Sequence, residues 1–251
     1  PARLNKGLDS RQAVPRIRGE CGVTLATMTI APPRDARADG PPPAEAPPAR
    51  PLPAYLARRY RGWRATVHAE NKGWHRRLAQ EGQRPRTMAI ACCDSRVNVN
   101  QVFAAETGEI FLHRNIASLV PGYCPDDAQH GTSAAVEYAV EILGVAHLIV
   151  VGHSDCGGVK GCHDMCSGVG PGEDAAQTSF IRPWLEILRP GFDRVKGVNA
   201  GPERLRALEK EAVVVSLANL WTFPFIRRAV EAERLSLHGL WFDIGEGVLE
   251  A

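Results

Sequence analysis

Two short stretches concentrate the residues able to do chemistry: Ala91-Cys92-Cys93-Asp94-Ser95-Arg96-Val97 and Gly152-His153-Ser154-Asp155-Cys156-Gly157-Gly158. His153-x-x-Cys156 is close enough in sequence for both side chains to reach one ion, and Cys92 adds a second thiolate. Two thiolates and an imidazole suit Zn²⁺, which prefers tetrahedral N/S ligation. With no obvious fourth Cys or His, one position is left for water, as in a catalytic rather than a closed structural site. Cys93 competes with Cys92. Strand side chains alternate between faces, so only one of the two coordinates. Beside them, Asp94 is a hydrogen-bond acceptor and Arg96 a guanidinium able to hold that carboxylate by a charge-assisted contact. Taken singly, these residues read as core thiols, a satisfied loop histidine and a surface ion pair. Their grouping at two strand ends is what points to a metal.

The elements that must position them follow from the apolar pattern. Met88-Ala89-Ile90-Ala91 and Leu148-Ile149-Val150-Val151 read as buried strands ending at the two motifs. Strands are expected at about 87–91, 109–113, 147–151 and 235–242. A helix is expected from Thr132, a possible cap, to Leu143, with Gly144 as its stop. Its apolar residues (Ala134, Ala135, Val136, Ala139, Val140, Ile142, Leu143) run nearly all round, which predicts deep burial. Residues 157–172 are Gly-rich and hold Cys162, His163 and Cys166. The Cys-His-x-x-Cys spacing is metal-like, but the flanks read as a solvated loop. Helical patterns follow at 179–188 and 203–218, the latter breaking at Pro224 and resuming to about Glu233. Strands alternating with helices predict an α/β fold with a largely parallel central sheet flanked by helices. In such sheets function gathers at the carboxyl ends of strands.

Ahead of the first strand, Leu56, Tyr60, Trp63 and Val67 follow helical spacing with arginines between them, and Trp74 and Leu78 extend a second helix to about Gln80. This N-terminal helical arm would leave apolar surface bare on a monomer, which predicts a homodimer or higher homo-oligomer.

A chain of 251 residues can bury one sizeable core. Nine of the 23 residues from Ala31 to Pro53 are proline, so residues 1–52 read as a disordered Pro/Ala/Arg-rich tail and 53–251 as the catalytic domain. Residues 1–27 read as an upstream extension, with Met28 as an alternative start. The net charge of +2 gives no reason to expect nucleic acid. Lacking a signal peptide and any apolar run of roughly 18 to 20 residues, the chain is expected to be cytoplasmic, with no membrane partner. The odd count of seven cysteines fits thiols or ligands better than disulfides. Cys124 carries no role, and His113 and His130 are proton-shuttle candidates no better than buffer.

Cys92-x-Asp94-x-Arg96 with His153-x-x-Cys156-Gly157-Gly158 resembles the β-class carbonic anhydrases, and His113-Arg114-Asn115-Ile116-Ala117, Glu137-Tyr138-Ala139-Val140 and His238-Gly239 resemble further segments of that family. The resemblance covers about residues 55–250. It implies reversible hydration of CO₂ to bicarbonate and a proton through hydroxide held by one Zn²⁺. It makes Cys92, His153 and Cys156 the metal ligands and Cys93 the variable residue. Asp94 and Arg96 become the catalytic pair. Asp94 is also a conditional fourth ligand, held off the metal by Arg96. Ser95 and the helix-opening Gly157 and Gly158 are expected at the substrate. Some family members lock bicarbonate beside a Trp and a Tyr. Here Ala89 and Phe242 stand at those places, which implies an open site with water on zinc. Where plant-like members carry a pocket Gln, this chain has Ala104-Ala105-Glu106-Thr107-Gly108. The alternatives are a CS₂ or COS hydrolase with the same ligands, or a noncatalytic protein with structural zinc.

Overall fold

The computed structural model describes residues 17–18, 24–25, 49–126, 128–169 and 180–251. The chain divides into two compact units, Pro1–Glu81 and Gly82–Ala251. In the first, the two-residue strands β1 (Ile17–Arg18) and β2 (Thr24–Leu25) pair antiparallel. The helices α1 (Ala54–Ala65), α2 (Val67–Glu70) and α3 (Lys72–Glu81) follow. The helical spacing read from Leu56 to Val67 is therefore present, broken after Ala65. Most of the predicted disordered tail lies outside the described residues.

The second unit is built on a five-stranded sheet of β3 (Thr87–Cys92), β4 (Ile110–Asn115), β5 (His147–His153), β6 (Ser236–Phe242) and β7 (Leu249–Glu250). Their order across the sheet is β4-β3-β5-β6-β7, with β7 alone antiparallel. The chain leaves β3 toward β4 and leaves β5 toward β6, in opposite directions. The carboxyl ends of β3 and β5 thus flank the point where strand order reverses, where α/β sheets open a crevice.

Both faces of β3 and β5 are buried, as parallel strands require. One face presents Met88, Ile90, Leu148 and Val150 to Val136, Val213, Leu220 and Ile226. The other gathers Ala89, Ala91, Val99 and Val151. Helix α4 is a single turn (Val99–Val102) capped by Asn98, and α5 spans Gly131–Glu137. Further along come α6 (Gly157–Ser167), α7 (Ile181–Glu186), α8 (Arg189–Val195), α9 (Pro202–Leu220) and α10 (Pro224–Glu231). Helix α9 lies against β5 and β6 at two glycines. A Cβ on Gly152 would fall 2.7 Å from Val213 Cγ2, and one on Gly239 would fall 2.8 Å from both Val213 and Leu217.

Two expectations are corrected here. Helix α5 begins one residue before Thr132, which makes no capping bond, and gives way to a π-helical turn at Tyr138–Ile142 before Gly144 stops it at φ +64°. The segment is also not deeply buried: Val136 and Ala139 face the core, whereas Ala134 is exposed and Ile142 is 67% exposed. The polar Glu137 and Glu141 already marked that outer face, and the run of apolar letters between them hid it. Helix α6 opens at Gly157 as expected, but the solvated loop expected around Cys162, His163 and Cys166 is instead a continuation of that helix to Ser167. Its Val159 and Cys162 are buried against Leu185, Leu188 and Phe192, so packing overrides the low helix propensity of its glycines.

Candidate metal centre

Strand β3 ends on Cys92 and β5 on His153. Cys156 follows immediately before α6, and the candidate ligand atoms of all three lie within 4.8 Å of one another. All three side chains are buried. The two sulfurs stand 3.9 Å apart. Thiolates about 2.3 Å from one tetrahedral ion would be separated by about 3.8 Å. His153 Nδ1 donates to the Ser154 carbonyl at 2.8 Å, because a carbonyl can only accept. The ring proton is therefore on Nδ1 and the Nε2 lone pair is free. That Nε2 is buried with no partner. A fully buried acceptor left unmade is costly, and a cation between it and the two sulfurs removes the cost. The residues fit Zn²⁺.

The two thiols are electrostatically unequal. The contact with Cys156 lowers the Cys92 thiol most, and His153 and the amides of Asp94 and Ala117 lower it further. Both amides reach the Cys92 sulfur at 3.4 Å. The contact with Cys92 raises Cys156, followed by burial, while the amides of Val159 and Gly158 in the first turn of α6 oppose the rise. Each thiol is shifted chiefly by the other, and a bound cation would displace the protons they hold. Cys93 is exposed, whereas Cys92 is buried with its sulfur beside that of Cys156.

Asp94 and Arg96 form one clamp. Arg96 Nε donates to Asp94 Oδ1 at 3.0 Å and Nη2 to Oδ2 at 2.7 Å, and the Arg96 main-chain amide adds a 2.9 Å bond to Oδ1. These bonds hold the Asp94 carboxyl far below the usual carboxylate range, the Arg96 side chain contributing most. Arg96 Nη2 also donates to the Asp155 carbonyl at 3.0 Å, tying the first motif to the second. Ser95 is exposed at the tip of the turn. Gly157 has open space where a side chain would stand, whereas a Cβ on Gly158 would lie 2.7 Å from Ile116 Cγ2 and 3.0 Å from Ala117 Cβ. The sequence fits Gly158 to that close approach.

Sequence reasoning missed two residues that hold this arrangement. Arg114, near the end of β4, donates to the carbonyls of Cys92 at 2.8 Å, Asp94 at 2.6 Å and Val97 at 2.9 Å, fastening the whole first loop. In the sequence it stood just past the expected strand, within the family-like segment His113–Ala117, with no role of its own. Glu209 of α9 is 5% exposed, with Oε2 3.5 Å from Arg206 Nε, and the amides of Asp155 and Cys156 oppose the rise that burial imposes on its carboxyl. Ser154 supports the same loop, its hydroxyl accepting from the Ile244 amide at 2.9 Å. The left-handed backbone of Ala117 (φ 61°), Ser118 (φ 51°) and Asp155 (φ 54°) marks the turns around the centre as held by their surroundings.

The other histidines stand apart from the ligand group. His113 is hydrogen-bonded to Thr132 at 3.0 Å, and burial lowers its pKa. His130 pairs with Asp126 at 2.6 Å on the surface. A cavity of about 470 Å³ beside the strand ends is lined by Cys93, His113, Asn115, Ile116, Thr132 and Trp184, among others.

The profile of the carbonic anhydrase family matches residues 87–249, a span containing every ligand candidate and the Asp94–Arg96 clamp. This chain belongs to the β-class carbonic anhydrase family. It is 36% identical over 174 residues to beta carbonic anhydrase 3 of Arabidopsis thaliana, matching 68% of this chain and 65% of that one. To a carbonic anhydrase of Pseudomonas aeruginosa it is 39% identical over 175 residues, 67% of this chain and 74% of the relative. Among solved β-carbonic anhydrases, CcaA superposes with a TM-score of 0.70 at 30% identity, covering 78% of this chain and 85% of that one. One of two tetrameric β-carbonic anhydrases from the filamentous ascomycete Sordaria macrospora gives a TM-score of 0.65 at 28% identity, covering 78% of this chain and 94% of that one.

Proposed function

We propose that this chain catalyses the reversible hydration of CO₂ to bicarbonate and a proton, with Cys92, His153 and Cys156 holding one Zn²⁺. The observation that carries the reading is the convergence of those three side chains, with His153 Nε2 freed for a metal by the Ser154 carbonyl. Zinc held there would supply the Lewis acidity that makes water a nucleophile near neutral pH. Asp94 orients that water. Its Oδ1 already accepts two bonds from Arg96 whereas Oδ2 accepts one, so Oδ2 has the capacity to receive the water's hydrogen and aim its lone pair at carbon. Arg96 keeps Asp94 ionised and turned away from the ligand group. The first-turn amides of α6 face the Cys156 sulfur and offset the charge gathered there.

The reading extends to a homo-oligomer. Tyr138 and Ile142 are exposed on the α5 and π-turn surface, as are Tyr60 and Trp63 on α1, and exposed apolar side chains of this kind suit a subunit contact. The tetrameric Sordaria relatives support this.

The deciding experiment measures zinc by elemental analysis and CO₂ hydration by stopped flow with a pH indicator on the same preparation. We expect one zinc per chain and turnover lost on chelation and restored by zinc. Zinc-loaded protein without hydration activity would overturn the proposal.

A further inference from the structure

Folding the Gly-rich segment into α6 sets Cys162 and Cys166 four residues apart on one helical face. Their sulfurs are 4.0 Å apart, close to the 3.9 Å of the Cys92–Cys156 pair. Cys162 is fully buried beside Leu185, Leu188 and Phe192, and Cys166 keeps part of its surface in solvent. Cβ atoms four apart on a helix are about 5–6 Å from each other, whereas a disulfide needs about 3.5–4.5 Å. The helix therefore keeps these thiols from bonding directly. Sulfurs bridged by a tetrahedral ion lie about 3.8 Å apart, so one atom fits between them.

We propose that Cys162 and Cys166 form a second, thiophilic metal site on α6, taking a soft divalent cation such as Cd²⁺ between the two sulfurs. Two metal–sulfur bonds form, both thiol protons leave to solvent, and water fills the remaining positions. Among the described residues the only cluster of three metal-ligating side chains is Cys92, His153 and Cys156, so this site is bidentate and exchangeable. Burial, then the neighbouring Cys166, pushes the Cys162 thiol up, so it keeps its proton until a cation displaces it. Cys166 gives the ion its entry. Cys162 lies six residues beyond Cys156, about 9 Å along the helix, and the two sites share no ligand.

The test titrates zinc-loaded protein with Cd²⁺ in a thiol-free reductant. It follows sulfur-to-cadmium charge-transfer absorption in the ultraviolet, with bound cadmium and released zinc measured after desalting. One cadmium per chain is expected to bind without release of zinc. Cys166→Ala and Cys162→Ala should each abolish that step and keep the zinc, while Cys93→Ser and Cys124→Ser should leave it unchanged. An unaltered cadmium step in Cys166→Ala, or absorption that rises only as zinc departs, overturns the proposal. If Cys162→Ala does not fold, the partly exposed Cys166→Ala decides alone.

Discussion

Replacing Arg96 by alanine tests the proposed chemistry at its most local point. The side chain makes two of the three hydrogen bonds Arg96 gives Asp94, at 3.0 and 2.7 Å, and the third comes from the main chain and survives the substitution. Asp94 Oδ1 thus keeps one donor while Oδ2 loses its only one, so the carboxylate stays in place but is free to swing about that remaining bond. Freed in this way, Asp94 can turn toward the metal ligands and take the position meant for water. Removing groups that orient a metal site commonly costs about 10–100-fold in activity, and Arg96→Ala should fall at the upper end because it also cuts the 3.0 Å tie to the Asp155 carbonyl. The assay is stopped-flow hydration of CO₂ with zinc content measured alongside. The expected result is a lower kcat with zinc retained. Arg96→Lys, which cannot grip both oxygens, should recover only part of the loss. If Arg96 acts through Asp94, combining Arg96→Ala with Asp94→Asn should cost little more than the worse single change. Full turnover by Arg96→Ala at neutral pH, or simple multiplication of the two losses, would refute the reasoning.

Three further outcomes are expected. Arg114→Ala leaves three loop carbonyls without their guanidinium. It should lower both zinc affinity and kcat, and Arg114→Lys should restore little, as read by competition with a chelating dye. Gly152→Ala forces a methyl to 2.7 Å from Val213, and overpacking of this kind costs about 1–3 kcal/mol, measurable by urea unfolding. Burial raises the Glu209 carboxyl, so the folded state holds its proton to higher pH than the unfolded chain, whose value is about 4.3. Stability from this group is therefore greatest below about pH 4.3 and declines as pH rises toward the folded value. Glu209→Gln should flatten that limb in a series of unfolding curves, and an unchanged slope would remove Glu209 as its source.

What the sequence made legible was the part encoded in short range. The β3 and β5 apolar runs end where the candidate ligands begin, and Cys92 is buried while Cys93 is exposed. The spacing of His153 and Cys156 placed both beside one site. What it hid depends on distant chain. Arg114 gains meaning only because β4 lies beside β3 in parallel, with Cys92 opposite Asn115. Glu209 sits among Arg206, Lys210 and Glu211 and reads as part of a solvated face until α9 is laid on the sheet. The stretch around Cys162 to Cys166 looked like loop because its glycine-rich flanks were weighed ahead of Val159 and Cys162, which face a core supplied by α7 and α8.

The bare positions at Gly152 and Gly239 have a consequence for anyone surveying variants of this protein. They let α9 settle onto the strands, and α9 carries the carboxylate that grips the loop ahead of Cys156. A methyl added at Gly239, on a neighbouring strand and outside the pocket, would lift the whole rod and slacken that grip. Such a mutant would be scored as a damaged catalyst when the injury is to the seat on which the machinery rests.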